Sequence, residues 1–523
     1  MVQSSAAGLS GRIAFALAGL GGLAQALSLA WPEQGQALGA LQVLGLALLA
    51  WVFLHNPRAR TVALWAWWFS TVHGVAATWW LYISMHQYGG LPAVWAVLAV
   101  LALQAALGLY LALALGLARA LVGSRAGAGV QGLAFACACL LAELARAQWL
   151  TGFPWGVSGY AHVDSALAVL APWLGVYGMG AVAALLAWCL AWAWGLRASL
   201  MRGGAMVMSL ATLLALSQPW RAADTTQELA RVPLTLLQGN VPQDQKYQEQ
   251  RLSAPRWYLE QLTQAGPGLI LAPETAFALT TELWPAPWWQ ALRPPSAEQA
   301  VMIGAPWRSP QGSEYSNSVL AFAGTAPGTN AAGPDYRYDK HHLVPFGEFI
   351  PWGFAWFVQA MQIPLGEFVR GPSPQPAWTW AGLRWAPNIC YEDLFGEELA
   401  RLWSYPEGGP HVLLNFSNIA WFGDTIAQHQ HLHMARLRTL ELQRPMVRVT
   451  NTGVTVVIDH QGQVQARLPH WQRGVLQSEV SGRSGAATPY ARWAGAWGLW
   501  PLWLLGLLGL GLAKRLARPT DRA

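Results

Sequence analysis

Three short segments of this chain hold the parts of a nucleophilic acyl-transfer site. Cys390 stands in Asn388-Ile389-Cys390-Tyr391-Glu392-Asp393, directly after the apolar run 383–389. Such a run predicts a buried strand, and a side chain at its end faces a pocket rather than the core. Glu274 follows Leu269-Ile270-Leu271-Ala272-Pro273, a second strand end. Lys340 opens Lys340-His341-His342-Leu343-Val344-Pro345-Phe346-Gly347-Glu348. A thiolate can attack an acyl carbonyl and leave a thioester, which an amine then opens. A carboxylate whose pKa desolvation has raised can take the thiol proton. An ammonium can hold the oxyanion and favour the thiolate. Glu348 can orient Lys340, and Tyr391 and Glu392 flank the nucleophile.

Read singly, each has a plainer explanation. A free cysteine is most often a small buried hydrophobe. Glu274 reads equally as a turn carboxylate and Lys340 as a solvated lysine. Other chemistries find less. His429 and His433 share a helix face, but Gln430 stands where a metalloprotease needs glutamate. There is no phosphate-binding glycine loop and no G-x-S-x-G elbow. No metal and no cofactor is expected.

The elements that would position these residues alternate between short strands and helices. Strands are expected at 232–238, 269–272, 301–304, 317–322, 383–390, 411–416, 446–458 and 463–468, the last two joined by the hairpin turn Asp459-His460-Gln461-Gly462. Helices are expected at 246–265, 393–404 and 425–443. That alternation predicts a layered α/β domain. Two of its loops, 283–289 and 349–364, are rich in Trp and Phe, which points to a membrane or binding surface.

Around this domain the chain is very apolar. It has 523 residues, 54% hydrophobic and 11% charged, against about 25% charged in soluble domains. Seven runs suit membrane helices, at about 12–30, 35–54, 61–82, 91–117, 130–147, 165–195 and 204–218, and an eighth at 493–513. The first is expected to remain uncleaved, because a second span follows at once. Arg58, Arg60, Arg119, Arg125, Arg197, Arg202, Lys514, Arg515, Arg518 and Arg522 all fall in loops on one side, which the positive-inside rule makes cytoplasmic. The domain near 220–490 then lies outside. The net charge of +6 reflects those loops and anionic lipid, not nucleic acid. Cys137, Cys139 and Cys189 lie in expected spans, so the outer domain has one thiol and no internal disulfide.

Glu, Lys and Cys in this order resemble the triad of the nitrilase superfamily. A nitrilase-like domain set between seven spans and one more resembles the bacterial apolipoprotein N-acyltransferases over essentially the whole chain. The motifs that carry the likeness are Gln238-Gly239-Asn240-Val241-Pro242-Gln243, Pro273-Glu274-Thr275, His342 to Phe349, Cys390-Tyr391-Glu392, Ala420-Trp421-Phe422-Gly423-Asp424, Arg436 to Glu441 and Asn451-Thr452-Gly453. The resemblance implies Glu274 as base, Lys340 as oxyanion lysine and Cys390 as nucleophile. Glu348, Tyr391, Glu392, Tyr247 and Trp421 would support them or bind substrate. The chain has Tyr247 where the family usually has tryptophan, and Ile419 where it usually has aspartate.

The fold so implied is a membrane α-helical bundle of about eight transmembrane helices plus an αββα sandwich. Its parts would be residues 1–220, with seven spans, 221–490, the catalytic domain, and 491–523, the last helix with a basic tail. The implied donor is a phospholipid such as phosphatidylethanolamine, and the acceptor a diacylglyceryl apolipoprotein. The enzyme would be a monomer of the bacterial inner membrane, its catalytic domain in the periplasm. The residues alone also admit a membrane-tethered amidase or nitrile hydrolase. A transporter would place ionisable groups inside spans, and only Glu143 and Arg146 approach that.

Overall fold

The computed structural model describes residues 10–195, 199–246, 250–308, 314–324, 333–356 and 368–517. Two compact units divide the chain. One comprises Met1–Trp79, Val94–Ala222 and Trp497–Ala523, the other Trp80–Ala93 and Ala223–Ala496.

The first unit is helical. Gly11–Leu29, Ala93–Val122, Ala128–Thr151 and Ala166–Trp194 are long and apolar enough to cross a membrane. Gly39–His55 and Gly203–Leu216 are apolar but shorter. At 17 residues, the first of these reaches about 26 Å. The expected spans are modified in three places. The third run stops being α-helix of this unit at Thr78, and Trp80–Ala93 belongs with the other unit. The sixth begins as a 3-10 turn, Ala166–Leu170, and its helix Ala171–Trp194 breaks at Gly175, whose φ of 65° only glycine adopts freely. The eighth is two helices, Pro489–Trp497, nearly all of which belongs with the other unit, and Trp500–Ala517, with a break at Gly498, whose φ is 58°. Glu143 and Arg146 lie near one helix end. Glu143 accepts hydrogen bonds from the amide and hydroxyl of Ser158, whose hydroxyl accepts from Gln25, so this polar group is satisfied in place.

The second unit is a sandwich of two six-stranded sheets. Sheet one is ordered β12-β1-β2-β3-β4-β5, with β1 Gln227–Gln238, β2 Gly268–Ala272, β3 Gln299–Arg308, β4 Tyr315–Ala323, β5 Tyr336–Asp339 and β12 Gly474–Ser484. Sheet two is ordered β11-β10-β9-β8-β7-β6, with β6 Trp378–Trp380, β7 Leu383–Ile389, β8 Val412–Ser417, β9 Met446–Thr450, β10 Val456–Ile458 and β11 Val464–Arg467. β1, β2 and β3 are parallel, as are β7, β8 and β9.

Period-two alternation assigns the faces. Leu234, Leu236, Leu269, Leu271 and Met302 point inward and meet Trp385, Ile389, Leu414, Phe416, Val447 and Val449 of the other sheet. Leu237, Ile270 and Ile303 point outward onto Ala254, Tyr258 and Leu262 of the helix Gln250–Gln264. Leu413, Met446 and Ile458 likewise pack on Leu432, Ala435 and Leu442 of the helix Ala427–Leu442. The layers are therefore helix, sheet, sheet, helix.

Most expected strands and helices of this domain are present. The run 446–458 is two strands, because Asn451-Thr452-Gly453 turns between β9 and β10. The loop 283–289 is mainly core. Trp284 is buried, with Trp288 and Trp289 packed beside it against Phe277 and Phe322, although Leu283 is exposed. The loop 349–364 is different in its described part, where Trp352, Phe354 and Trp356 are exposed. Its residues 357–364 lie outside the described ones.

Candidate active site

Strand direction gathers the site at one edge of the sandwich. Glu274 lies two residues past β2, Lys340 one past β5, Cys390 one past β7 and Asn418 one past β8. Antiparallel β4 intervenes between β3 and β5, so β5 ends at the same edge as β2. The carboxyl edge of parallel strands is where α/β sheets leave room for ligands.

Lys340 is almost fully buried, and its Nζ lies 2.9 Å from Glu348 Oε1 and 3.3 Å from Glu274 Oε1. Asn317 Nδ2 donates 2.8 Å to each of the same two oxygens. The second oxygen of Glu274 accepts from the amide of Asn418 at 2.7 Å. That of Glu348 accepts from the amide of Val344 at 2.8 Å. Burial opposes the charge on Lys340, but Glu348 and Glu274 outweigh it and raise its pKa, so it stays an ammonium.

Cys390 begins the 3-10 turn Cys390–Leu394 with a φ of 52°. Left-handed backbone in a side-chain-bearing residue is strained and collects at functional sites. Thr275, at 47°, shares it. Burial pushes the Cys390 thiol above its usual range; Glu274 adds to this and Lys340 opposes it. At neutral pH the sulfur therefore keeps its proton until a base removes it. Its carbonyl accepts from Asn415 Nδ2 at 3.4 Å and His431 Nε2 at 3.3 Å. His431 also donates 2.9 Å to Asp393, which pairs with Arg448 at 3.2 Å.

Glu392 ties the lysine segment to the cysteine turn. One oxygen accepts from the amides of His341 and His342 at 2.7 and 3.0 Å. The other accepts from the amide of Ile389 at 2.6 Å and the hydroxyl of Tyr338 at 2.9 Å. Burial pushes its pKa up to about 7 against the pull of these donors. Tyr391 is buried against Phe395 and His342. Trp421 is half-buried and meets Tyr88 edge to face at 5.7 Å. Tyr247 lies outside the described residues.

Asn317, Asn415 and Asn418 were not singled out by the sequence reading, though a signal existed. Asn317 and Asn415 are polar residues inside otherwise apolar strands, a placement that requires partners. Lys246 left no such signal. Among the described residues no group of three or more His, Cys, Asp or Glu is placed to hold a metal ion. His429, His431 and His433 separate by partner: His431 faces Asp393, His429 meets the ring of His470, and His433 Nδ1 lies 3.4 Å from Arg436 Nη1.

The arrangement holds carboxylates and an ammonium in one buried cluster and sets a half-buried thiol at a strand end on the same edge. Comparison with known proteins adds a second line. Residues 23–189 match the model of the apolipoprotein N-acyltransferase N-terminal domain, and residues 255–490 that of carbon-nitrogen hydrolase. An apolipoprotein N-acyltransferase of Verminephrobacter eiseniae is 46% identical over 508 residues, 91% of each chain. One of Ralstonia nicotianae is 42% identical over 457 residues, 86% of this chain and 85% of its own. A CN-hydrolase superfamily protein of Xanthomonas campestris, 18% identical, covers 52% of this chain and 96% of its own with a TM-score of 0.35.

Proposed function

The chain belongs to the apolipoprotein N-acyltransferase family, and we propose that it moves one fatty acyl chain from a phospholipid, phosphatidylethanolamine foremost, to the α-amino group of diacylglyceryl-cysteine at an apolipoprotein N-terminus. Glu274 takes the Cys390 proton as sulfur attacks the donor ester. Lys340 and backbone amides hold the oxyanion. The intermediate collapses to a Cys390 thioester, and the departing lysophospholipid oxygen takes its proton from Glu274. The amine then attacks the thioester, gives a proton to Glu274, and leaves an amide as the thiol is restored. The donor ester supplies the activation, so neither nucleotide nor metal enters. The observation that carries this reading is the buried cluster of Lys340 between Glu274 and Glu348, with Glu392 tying the segment after Lys340 to the turn that Cys390 begins.

The proposed setting is a bacterial inner membrane, with eight spans, seven before the catalytic domain and one after, that domain periplasmic, and a monomeric enzyme. The four basic loops support the orientation.

Intact-mass analysis of enzyme given phospholipid without apolipoprotein tests it. One added acyl chain is expected, released by hydroxylamine, mapped to Cys390 and absent from Cys390→Ser. Steady release of free fatty acid with no acyl-enzyme, indifferent to apolipoprotein, would make the protein a lipid hydrolase.

A further inference from the structure

Lys246 is a second buried lysine beside the candidate triad. It closes the four-residue helix Gln243–Lys246 and is 3% exposed. Lysine is rarely buried so fully unless its charge is used. Its Nζ donates 2.7 Å to Thr275 Oγ1 and 3.3 Å to the main-chain oxygen of Glu274. Both acceptors are uncharged, and both belong to the turn that carries the Glu274 carboxylate.

We propose that Lys246 is a positioning residue for Glu274, clamping the strained turn that aims this carboxylate at Cys390. Thr275 is β-branched yet holds a φ of 47°. Such a conformation persists only where the surroundings over-determine it. Gly304 braces the turn from one side: its amide donates to Pro273 O, and a Cβ there would meet Glu274 Cα at 2.6 Å. Lys246 secures the turn through the hydroxyl and carbonyl. The same short helix reaches the carboxylate by another route, because Gln243 accepts from Asn418 Nδ2 at 3.0 Å while the Asn418 amide donates to Glu274 Oε2. Glu274 is thus held at main chain and side chain by residues three apart. Burial pulls the pKa of Lys246 down to about 7, with Glu274 and Cys390 opposing. That a lysine is kept there despite the cost in charge agrees with a fixed role.

This inference rests on the reading of Glu274 as the base for Cys390. Its test is acyl-enzyme formation by the full-length enzyme with phosphatidylethanolamine, expressed per Cys390 thiol titratable with a small alkylating reagent. Lys246→Met is expected to slow acylation on the order of 10²-fold, the cost of a misplaced catalytic group, with the phospholipid KM unchanged. Thr275→Val keeps the shape but removes the acceptor, and is expected to cost about tenfold. The double variant is expected to match Lys246→Met alone, because both act through one clamp. Wild-type acylation per thiol in Lys246→Met overturns the proposal, as do effects that simply multiply. A loss that only tracks the number of titratable thiols does so too, since a merely structural lysine behaves that way. If Lys246→Met does not fold, Thr275→Val decides alone, and a wild-type rate there is fatal. Failure of the wild-type enzyme to acylate Cys390 sinks the mechanism; normal wild-type acylation with an unaffected Lys246→Met sinks only the clamp.

Discussion

Glu348 Oε1 lies 2.9 Å from Lys340 Nζ, closer than the 3.3 Å that separates the same nitrogen from Glu274. Glu348 is thereby the stronger of the two carboxylates in holding the ammonium charge on Lys340. Lys340→Met should lower acyl-enzyme formation on the order of 10²-fold, the scale for an oxyanion group. Glu348→Gln should cost about tenfold, the worth of one strong hydrogen bond. Rapid-quench measurement of the thioester in each variant checks both, and equal rates in wild type and Lys340→Met would remove the lysine from the mechanism.

Glu274→Gln should move two rates in opposite directions. The neighbouring carboxylate helps burial hold the Cys390 thiol above its usual pKa. Without that charge the pKa falls, and more thiolate is present at pH 8–9. Each tenfold gain in thiolate brings about threefold faster iodoacetamide alkylation, because intrinsic nucleophilicity falls with pKa. Transfer from phospholipid should fall on the order of 10²-fold, since the base is gone. Lys340→Met should slow alkylation, having removed the charge that lowers the pKa.

Glu392→Gln should destabilise the catalytic unit by about 2 kcal/mol, leaving a buried donor unmatched. A carboxylate accepts on both oxygens, here from three backbone amides and one hydroxyl. An amide accepts on one and turns its own N–H groups toward the other donors. Thermal unfolding in detergent is the measurement, and an unchanged midpoint would contradict the bond pattern.

The exposed aromatics Trp352, Phe354 and Trp356 begin one loop just past Glu348, and Trp352 is 98% exposed. Trp and Phe suit the headgroup boundary. Replacing all three by serine should raise the phospholipid KM while shifting the unfolding midpoint by no more than about three degrees, since all three are exposed although Phe354 meets the ring of Phe346 at 5.3 Å. A collapse in stability would make the loop core rather than lipid-facing.

Orientation is checked with a membrane-impermeant thiol reagent. A cysteine at the exposed Glu407 should react in intact cells, and one at the exposed Ser124 only after the membrane is opened. The reverse pattern would invert the proposed topology.

Strand ends were legible because Leu269 to Ala272 and Leu383 to Ile389 are short apolar runs that stop abruptly. β5 and β6, at four and three residues, are too short to show a period. β12 escaped notice because this edge strand carries Gln477, Ser478 and Glu479 and is mostly half-exposed. Glu274 and Cys390 stood out as candidates because each follows such an apolar run, whereas Lys340 follows the short β5 and had no strand end to mark it. What holds Glu274 was not legible: Lys246 sits among Gln243, Asp244 and Gln245, and such a run reads as a solvated helix face. Only tertiary packing turns that lysine inward. The break at Gly175 was likewise hidden in a continuous apolar run.

Trp80–Ala93 belongs to the catalytic unit although it precedes the rest by about 130 residues. Trp80 is 1% exposed, donates to Gln430 and lies with its ring 4.2 Å from that of Phe422. During synthesis this segment emerges first and must wait for its partners while the intervening helices are made. Chain growth at about 5–20 residues per second makes that wait several seconds at least. A fragment starting at Ala223 would be born without its Trp80, with a hole of the kind that costs about 3–5 kcal/mol. Cutting the chain at Ala223 thus removes a buried part of this unit, and such a fragment should unfold more readily than the same unit in the full chain.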